Sequence, residues 1–224
     1  MIYRIVLTIL VVALGVNVIL LANSVHNLVK KSVKESLPTP PVPRAPQNYG
    51  TVVRLVQDNK TFCSGAVVSD DIVITAGHCV ASNFGGFTAL NSDPVEVRAS
   101  DNISRNTFGK AIYYSPQLDH AVLKGNFKIY PKFRFIDDPT ILRTLQNPLI
   151  PFTACGYPMG GDLFCTPLRY RSTAFFMWSV EGMLIPGMSG GPVLTTDGVE
   201  IGINDAVDQY NAIITPLYNI HQEF

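Results

Sequence analysis

The sequence has little charge and no excess of either sign. Only 15% of its 224 residues are Asp, Glu, Lys or Arg, and 17 basic residues balance 17 acidic ones. We therefore expect no basic surface of the kind that attracts nucleic acid. Because 47% of the residues are hydrophobic, a disordered chain is excluded, and the chain is long enough to bury a core in one domain or at most two.

Cysteine is scarce as well. The four cysteines are separated by 16, 76 and 10 residues, so none of them forms the closely spaced pair that is typical of zinc sites. A zinc site is the competing interpretation of four cysteines, and these spacings disfavour it.

The N-terminal part of the chain differs from the rest. Residues 1–48 carry five basic residues against one acidic residue, a net charge of +4, and residues 49–224 carry −4. The uncharged run Ile5–Ala22 would form a helix about 27 Å long, close to the hydrocarbon thickness of a bilayer. The run is apolar on all sides, whereas a buried helix of a soluble domain usually has a polar face. Residues 1–24 are therefore predicted to hold a transmembrane helix.

Two properties of this segment stay open. The small residues of Ala22-Asn23-Ser24 also fit a signal-peptidase site, so cleavage near Ser24 and secretion are the alternative to retention as an anchor. Lys30, Lys31 and Lys34 outweigh Arg4, and by the positive-inside rule this would leave the following domain in the cytoplasm. Residues 25–48 are predicted to be a stalk and linker, since residues 37–46 contain five prolines and favour an extended conformation. A proline-rich ligand for another protein is the alternative.

From residue 49 onward, short β-branched and aromatic runs alternate with Gly, Asn, Asp and Pro, which is typical of an all-β sandwich or barrel. No stretch in this part predicts a long helix. The strand candidates are Thr51–Gln57, Thr61–Ser69, Asp71–Ala76, Val95–Ser100, Gly109–Ser115, Ala121–Gly125, Phe152–Tyr157, Phe164–Phe176, Trp178–Leu184, Pro192–Thr195, Val199–Asp205 and Ala212–Pro216.

Three short segments carry residue types that suit chemistry. They are TAGHC at 75–79, LDHAVL at 118–123 and PGMSGGP at 186–192. Taken singly, each has an ordinary structural explanation: a hydrogen-bonded structural histidine, a turn residue and a glycine-rich turn. Taken together, they supply what acyl transfer needs: a serine hydroxyl, a base to accept its proton, and a carboxylate to orient that base.

These motifs, in the order His, Asp, Ser, resemble those of chymotrypsin-fold serine proteases over about residues 49–218. The run from PGMSGGPV to DGVEIGINDA is most similar to the Deg/HtrA-type and glutamyl-endopeptidase-like branch. The resemblance implies an all-β protease domain over 49–224, built of two packed six-stranded antiparallel β-barrels. It implies a serine endopeptidase that acts on protein or peptide substrates and needs no cofactor or metal. The alternative is a catalytically silent binding or assembly module that keeps the fold.

The resemblance also assigns roles to residues. Ser189 would be the nucleophile, His78 the general base and acid, and Asp119 the orienting carboxylate, while the amides of Gly187 and Ser189 would form the oxyanion hole. Members activated by insertion of a freed amino terminus have an aspartate where this chain has Met188, so activation of that type is not expected.

The cysteines bear on location. The resemblance implies a Cys63–Cys79 disulfide, and Cys155 and Cys165 lie in neighbouring strand candidates that a disulfide could join. Disulfides persist in oxidising compartments. We therefore expect the protease domain to lie outside the cytoplasm, against the lysine count.

The resemblance further implies a pocket for the side chain before the cleaved bond. Met183, six residues before the nucleophile, would lie at its base. An apolar pocket of this kind would favour small or medium aliphatic side chains. Asp205 would recruit Lys or Arg if it pointed into the pocket, and would disfavour acidic substrates if it faced solvent. The predicted walls are Ile203, Asn204, Asp205 and Ala206 on one side, and Ala212, Ile213 and Ile214 on the other.

Overall fold

The computed structural model describes residues 51–84, 87–90, 93–99, 107–136, 138–207 and 212–217. These residues form an all-β structure with one short α-helix, α1 (Pro139–Thr144). The strands are β1 (Val52–Gln57), β2 (Lys60–Val67), β3 (Ile72–Ala76), β4 (Ala81–Phe84), β5 (Phe87–Leu90), β6 (Val95–Ala99), β7 (Thr107–Ser115), β8 (His120–Gly125), β9 (Pro151–Gly156), β10 (Phe164–Ala174), β11 (Met177–Glu181), β12 (Pro192–Leu194), β13 (Glu200–Val207) and β14 (Ala212–Pro216).

The first barrel is a closed antiparallel sheet with the strand order β1-β2-β3-β8-β7-β6. Two of its strands, β6 and most of β7, alternate in burial; in β6, Val95, Val97 and Ala99 are buried and the residues between them are half-exposed. A period of two is what a strand requires when one face packs on a core. The barrel interior is therefore filled by alternate apolar side chains, including Leu55 and Leu123.

The second barrel is closed in the order β10-β11-β14-β13-β12-β9. Counting the six strands of each barrel along the chain, both barrels have the cyclic order first, second, third, sixth, fifth, fourth. The core of the second barrel is built around the fully buried Trp178, whose ring centroid lies 5.9 Å from that of Phe152 and 5.7 Å from that of Tyr170. The helix α1 begins after Asp138, whose side chain accepts a hydrogen bond from the Thr140 amide at 2.7 Å.

Small apolar clusters join the two barrels. In one of them, Val52 and Ala66 of the first barrel pack with Tyr157 and Leu194 of the second. The Tyr157 hydroxyl also donates a hydrogen bond to the Val52 carbonyl at 3.1 Å. The sequence motifs lie near this junction, where the amide of Ser64 on β2 donates to the carbonyl of Ser189 in the second barrel.

The predicted all-β architecture of two six-stranded barrels is confirmed, and each strand candidate overlaps a strand. The hairpin β4–β5 was not predicted, although two strand-like runs there are separated only by Gly85-Gly86, a common hairpin signal. Within the described ranges, no helix has the length and apolar character needed to cross a bilayer. The predicted anchor (1–24) and linker (25–48) lie outside the described residues.

Candidate active site

The three motifs meet where the barrels join. His78 lies on a single 3₁₀ turn, Gly77–Cys79, that follows β3 directly. Asp119 is the last residue before β8, and Ser189 lies in the loop between β11 and β12. Because β3 and β8 are paired, with Ala76 opposite His120, the residues that follow one strand and precede the other are neighbours.

His78 and Asp119 are joined by two hydrogen bonds. The distance from His78 Nδ1 to Asp119 Oδ2 is 2.6 Å, and the backbone amide of His78 donates to Asp119 Oδ1 at 2.7 Å. The imidazole is 47% exposed and the carboxylate 28%. With Nδ1 engaged in this way, the other ring nitrogen is left for proton transfer with a bound substrate and a nucleophile.

The backbone around Asp119 is shaped to allow this contact. Asp119 has φ of 45°, a left-handed conformation that aspartate tolerates better than most residues. Its carbonyl accepts a hydrogen bond from the Gly77 amide at 2.7 Å. Burial acts to raise the pKa of Asp119, but the hydrogen bonds from His78 and from Asp205 outweigh burial and hold the pKa below its ordinary value. Asp119 is therefore ionised at neutral pH.

The loop that carries Ser189 depends on two glycines with positive φ, Gly187 (97°) and Gly190 (80°). A Cβ atom at Gly187 would lie 2.5 Å from the Tyr157 carbonyl oxygen, and one at Gly190 would overlap Thr75 Oγ1 and the Ser64 carbonyl. Only glycine satisfies both the conformation and the space at these positions.

The first barrel fixes this loop through β2. The Ser64 amide donates to the Ser189 carbonyl at 2.8 Å, and the Ser64 hydroxyl donates to the Gly187 carbonyl at 2.7 Å. Ser64 follows Cys63, which forms a disulfide with Cys79, the neighbour of His78. The nucleophile loop and the histidine turn are thus attached to the same short stretch of β2. The predicted disulfides are both present, the second between Cys155 and Cys165 on the paired strands β9 and β10.

Two backbone amides in the Ser189 loop have no backbone acceptor. Among the described residues, no backbone carbonyl accepts a hydrogen bond from the amide of Gly187 or of Ser189. By contrast, the neighbouring amides of Met188, Gly190 and Gly191 all donate within the protein. Two amides without backbone acceptors, next to a serine hydroxyl, are what an oxyanion hole needs.

Sequence reasoning missed two residues that support this loop. The Asn204 amide nitrogen donates to the carbonyl oxygens of Cys155 and Met188, at 2.9 and 3.2 Å. The Met188 side chain is fully buried in the core of the second barrel. The sequence offers a signal for this role, because an apolar residue inside a glycine-rich turn indicates that the turn is anchored in a core.

Asp205 takes neither of the two orientations expected from the sequence. Its side chain is 2% exposed, and its Oδ2 atom lies 3.0 Å from Thr215 Oγ1. A carboxyl oxygen of Asp205 lies within 4.8 Å of one of Asp119. The carboxyl group therefore lies neither in the predicted pocket nor in solvent.

The two predicted walls are paired strands, with Asn204 opposite Ile214 and Ala206 opposite Ile213, but their side chains do not form one continuous surface. Ile203 is fully buried with Ile74 and Leu217, and the Ala212 side chain lies in the core of the second barrel. The reason is that successive residues of a strand point to opposite faces, so a consecutive run cannot form one wall. Ile214 and Asn204 are also buried, and the side chain of Ala206 lies outside the described part of the chain. Met183 is 55% exposed and Ile213 is half-buried.

His78, Asp119 and Asp205 also offer ligand atoms within 4.8 Å of one another, as a metal site would. His78 Nδ1 and Asp119 Oδ2 contact each other directly at 2.6 Å, however, and this leaves no space for an ion between them. The geometry suits hydrogen bonding between these side chains better than coordination of a metal ion.

Comparison with known proteins agrees with this arrangement. Residues 63–203, more than half of the chain, match the family model of the trypsin-like peptidase domain. No curated protein matches the sequence.

Similar solved structures include the Rv3671c protease from M. tuberculosis in its active form, with 20% identity and a TM-score of 0.61 over 79% of this chain and 80% of that one. A serine endoprotease from Yersinia pestis has 19% identity and a TM-score of 0.61 over 79% and 62% of the two chains. The HtrA-type protease AlgW with tripeptide has 21% identity and a TM-score of 0.58 over 76% and 57%. At these identities the structural similarity shows a shared fold only. The match to the family model shows the family as well. The chain belongs to the trypsin-like peptidase domain family and is a serine endopeptidase.

Proposed function

We propose that Ser189, His78 and Asp119 form the catalytic triad of this endopeptidase, and that it is anchored in a membrane by residues 1–24. The observation that carries the triad is the 2.6 Å contact between His78 Nδ1 and Asp119 Oδ2, beside a serine loop attached to β2. The three side chains have the chemistry of nucleophile, base and orienting group in acyl transfer.

In the proposed reaction, the His78 ring takes the proton of the Ser189 hydroxyl as its oxygen attacks the scissile carbonyl. Ionised Asp119 accepts a hydrogen bond from Nδ1–H, fixes the tautomer of the ring and stabilises the imidazolium that forms. The imidazolium then gives its proton to the leaving amine. Water repeats the sequence on the acyl-enzyme and releases Ser189.

The negative charge of the tetrahedral intermediate would develop on the oxygen that faces the Gly187 and Ser189 amides. These amides have no backbone acceptor among the described residues, so they are available to this oxygen. Donors held in place before the reaction need no reorganisation as the charge forms.

We further propose a preference for small or medium aliphatic side chains before the cleaved bond. Met183 is apolar and exposed beside the loop, and Ile213 is half-exposed on β14. The burial of Asp205 against Asp119 removes the one acidic candidate that the sequence offered for binding Lys or Arg. Because apolar pockets discriminate by only about 1–3 kcal/mol per methylene, the preference should be broad. A peptide-library profile dominated by Lys and Arg would contradict it.

The protease domain, residues 49–224, is proposed to lie outside the cytoplasm, on the stalk and linker of residues 25–48. Both disulfides favour an oxidising compartment. Thiol alkylation in intact cells should find all four cysteines oxidised, and four free thiols would contradict this placement.

The experiment that tests the triad compares the parent protein with Ser189→Ala and with Ser172→Ala, a matched change at an exposed serine on β10. Turnover of a peptide library should fall by about 10⁴ to 10⁶ in Ser189→Ala, because the nucleophile is lost. Ser172→Ala should retain the parent rate. Retained activity in a folded Ser189→Ala protein would refute the assignment.

A further inference from the structure

Asp205 is a buried acid that the triad mechanism does not require. It lies on β13, is 2% exposed, and has a carboxyl oxygen within 4.8 Å of one of Asp119. A carboxylate in this position has lost nearly all of its hydration, which is costly unless hydrogen bonds replace it.

The hydrogen bonds around Asp205 do not replace that hydration. Thr215 Oγ1 lies 3.0 Å from Asp205 Oδ2 and 2.8 Å from the Leu118 carbonyl oxygen. A hydroxyl group has one proton, so Thr215 shares it between two acceptors. The second carboxyl oxygen of Asp205, Oδ1, has no donor among the described residues. The two oxygens of an ionised Asp205 would therefore have only one hydrogen-bond donor, the Thr215 hydroxyl, which the Leu118 carbonyl also competes for.

A proton on Asp205 resolves both difficulties. It removes the buried charge, and it allows the Asp205 carboxyl group to donate a hydrogen bond to the Asp119 carboxylate. Two carboxyl groups in contact share one proton in preference to ionising together. Burial and then the contact with Asp119 raise the pKa of Asp205 to about 9, whereas the pKa of Asp119 stays below its ordinary value. The shared proton thus belongs to Asp205 at neutral pH.

We propose that Asp205 is a positioning residue of this site: as a neutral carboxylic acid it donates a hydrogen bond to Asp119 and holds that carboxylate against His78 Nδ1. The inference rests on the proposed roles of Asp119, His78 and Ser189. The groups that face Asp205 are Asp119 before β8, His78 beyond it, and the uncharged Thr215 on β14. Among these groups, the charge of Asp119 is the one that opposes ionisation of Asp205.

The consequence is a loss of reactivity in alkali. When Asp205 loses its proton, its donor becomes a second negative charge beside Asp119, and the two carboxylates repel each other. The orientation of Asp119, and with it that of the imidazole, is then no longer held. The reactivity of Ser189 should fall as pH rises through about 9.

The test follows the rate of inactivation by a fluorophosphonate probe between pH 6 and 11, which needs no knowledge of the natural substrate. Asp205→Asn keeps a donor that does not titrate, so it should react about threefold more slowly than the parent at pH 7 but show no decline near pH 9. Asp205→Ala has no donor and should react about tenfold more slowly, or worse, over the whole range. Asp205→Ser supplies a second neutral donor if the asparagine variant does not fold.

Glu200→Gln is the matched control, since Glu200 is a buried acid on the same strand that does not belong to the site. It should keep the alkaline decline of the parent, which separates titration of Asp205 from general unfolding. A parent rate that shows no decline up to pH 11, or an equal decline in Asp205→Asn, would overturn the inference. A parent that does not react at any pH would instead refute the proposed function.

Discussion

The two barrels have the same strand order and one disulfide each, but they contribute different parts of the candidate site. The first barrel supplies His78 and Asp119, the pair that moves and orients a proton. The second supplies Ser189 and the backbone amides of its loop. A shared topology therefore places loops at the same edge without deciding what chemistry they carry, and only the juxtaposition of both barrels completes the site.

Away from the candidate site, each barrel also buries a titratable group of a different kind. The first buries His120 and the second buries Glu200, both fully, and in the described part of the chain neither side chain has a hydrogen-bond partner. Burial lowers the pKa of His120 to about 4 and raises that of Glu200 well above its ordinary value. Both groups are neutral in the folded protein. Protonation of His120 therefore lowers stability at acid pH, and ionisation of Glu200 lowers it at higher pH.

The largest expected effect is in the first barrel's share of the site. Asp119→Asn should lower kcat by about 10⁴, because the ring loses the acceptor that fixes its tautomer. Steady-state kinetics should be compared with Asp71→Asn, a matched change at an exposed aspartate on the same barrel. A variant nearly as active as the parent would mean that another acid orients His78, and the division between barrels would be wrong.

The two disulfides, one in each barrel, give a second test of the difference between the barrels. Replacing Cys63 and Cys79 together by alanine should lower the free energy of unfolding by about 2–4 kcal/mol and also lower kcat, because this bridge ties β2 to the histidine turn. Replacing Cys155 and Cys165 should cost a similar free energy with a smaller change in kcat, since that bridge joins strands β9 and β10. Urea denaturation and kinetics measure the two effects, and equal losses of kcat would contradict the distinction.

The buried groups predict opposite changes of stability with pH. In the unfolded chain His120 titrates at its ordinary pKa of 6.5, so the unfolded state binds a proton that the folded state refuses between pH 6.5 and about 4. Stability is lost as pH falls through this window, by about 3 kcal/mol. His120→Phe should remove this acid loss, as followed by thermal unfolding from pH 7 to 4. An unchanged pH dependence would show that His120 is protonated in the folded protein.

Glu200 acts in the opposite direction of pH. Its folded pKa lies above the ordinary value of 4.5, so the folded state keeps a proton that the unfolded state releases as pH rises. Stability therefore decreases as pH rises above 4.5. Between pH 5 and pH 8 the Tm of Glu200→Gln should therefore rise relative to that of the parent. A constant difference would show that Glu200 is ionised in the fold.

Much of this could be predicted from the sequence, because the strands alternate and the three motifs are local. The His78 turn, the Asp119 turn and the glycine loop of Ser189 can each be recognised within seven residues. Asp205 could not be placed in the same way. Its position on β13 fixes only its neighbours along the strand, whereas its environment depends on Asp119 of the other barrel.

The burial of the predicted wall residues could not be read from the sequence for a related reason. The residues from Ile203 to Asp205 were read as one surface, but their side chains reach an inter-barrel cluster, the support of the serine loop, and Asp119, respectively. Burial on a strand between two barrels is set by both barrels at once, and it has no local signal in the sequence.

The most direct test of the account is to identify the residue that a fluorophosphonate probe modifies, by mass spectrometry of the labelled protein. We expect a single adduct on Ser189, formed rapidly in the parent and strongly slowed in His78→Ala and Asp119→Asn, because the probe requires an activated hydroxyl. An adduct on another residue, or a folded parent protein that stays unlabelled, would contradict the central claim that the two barrels together build a serine protease site.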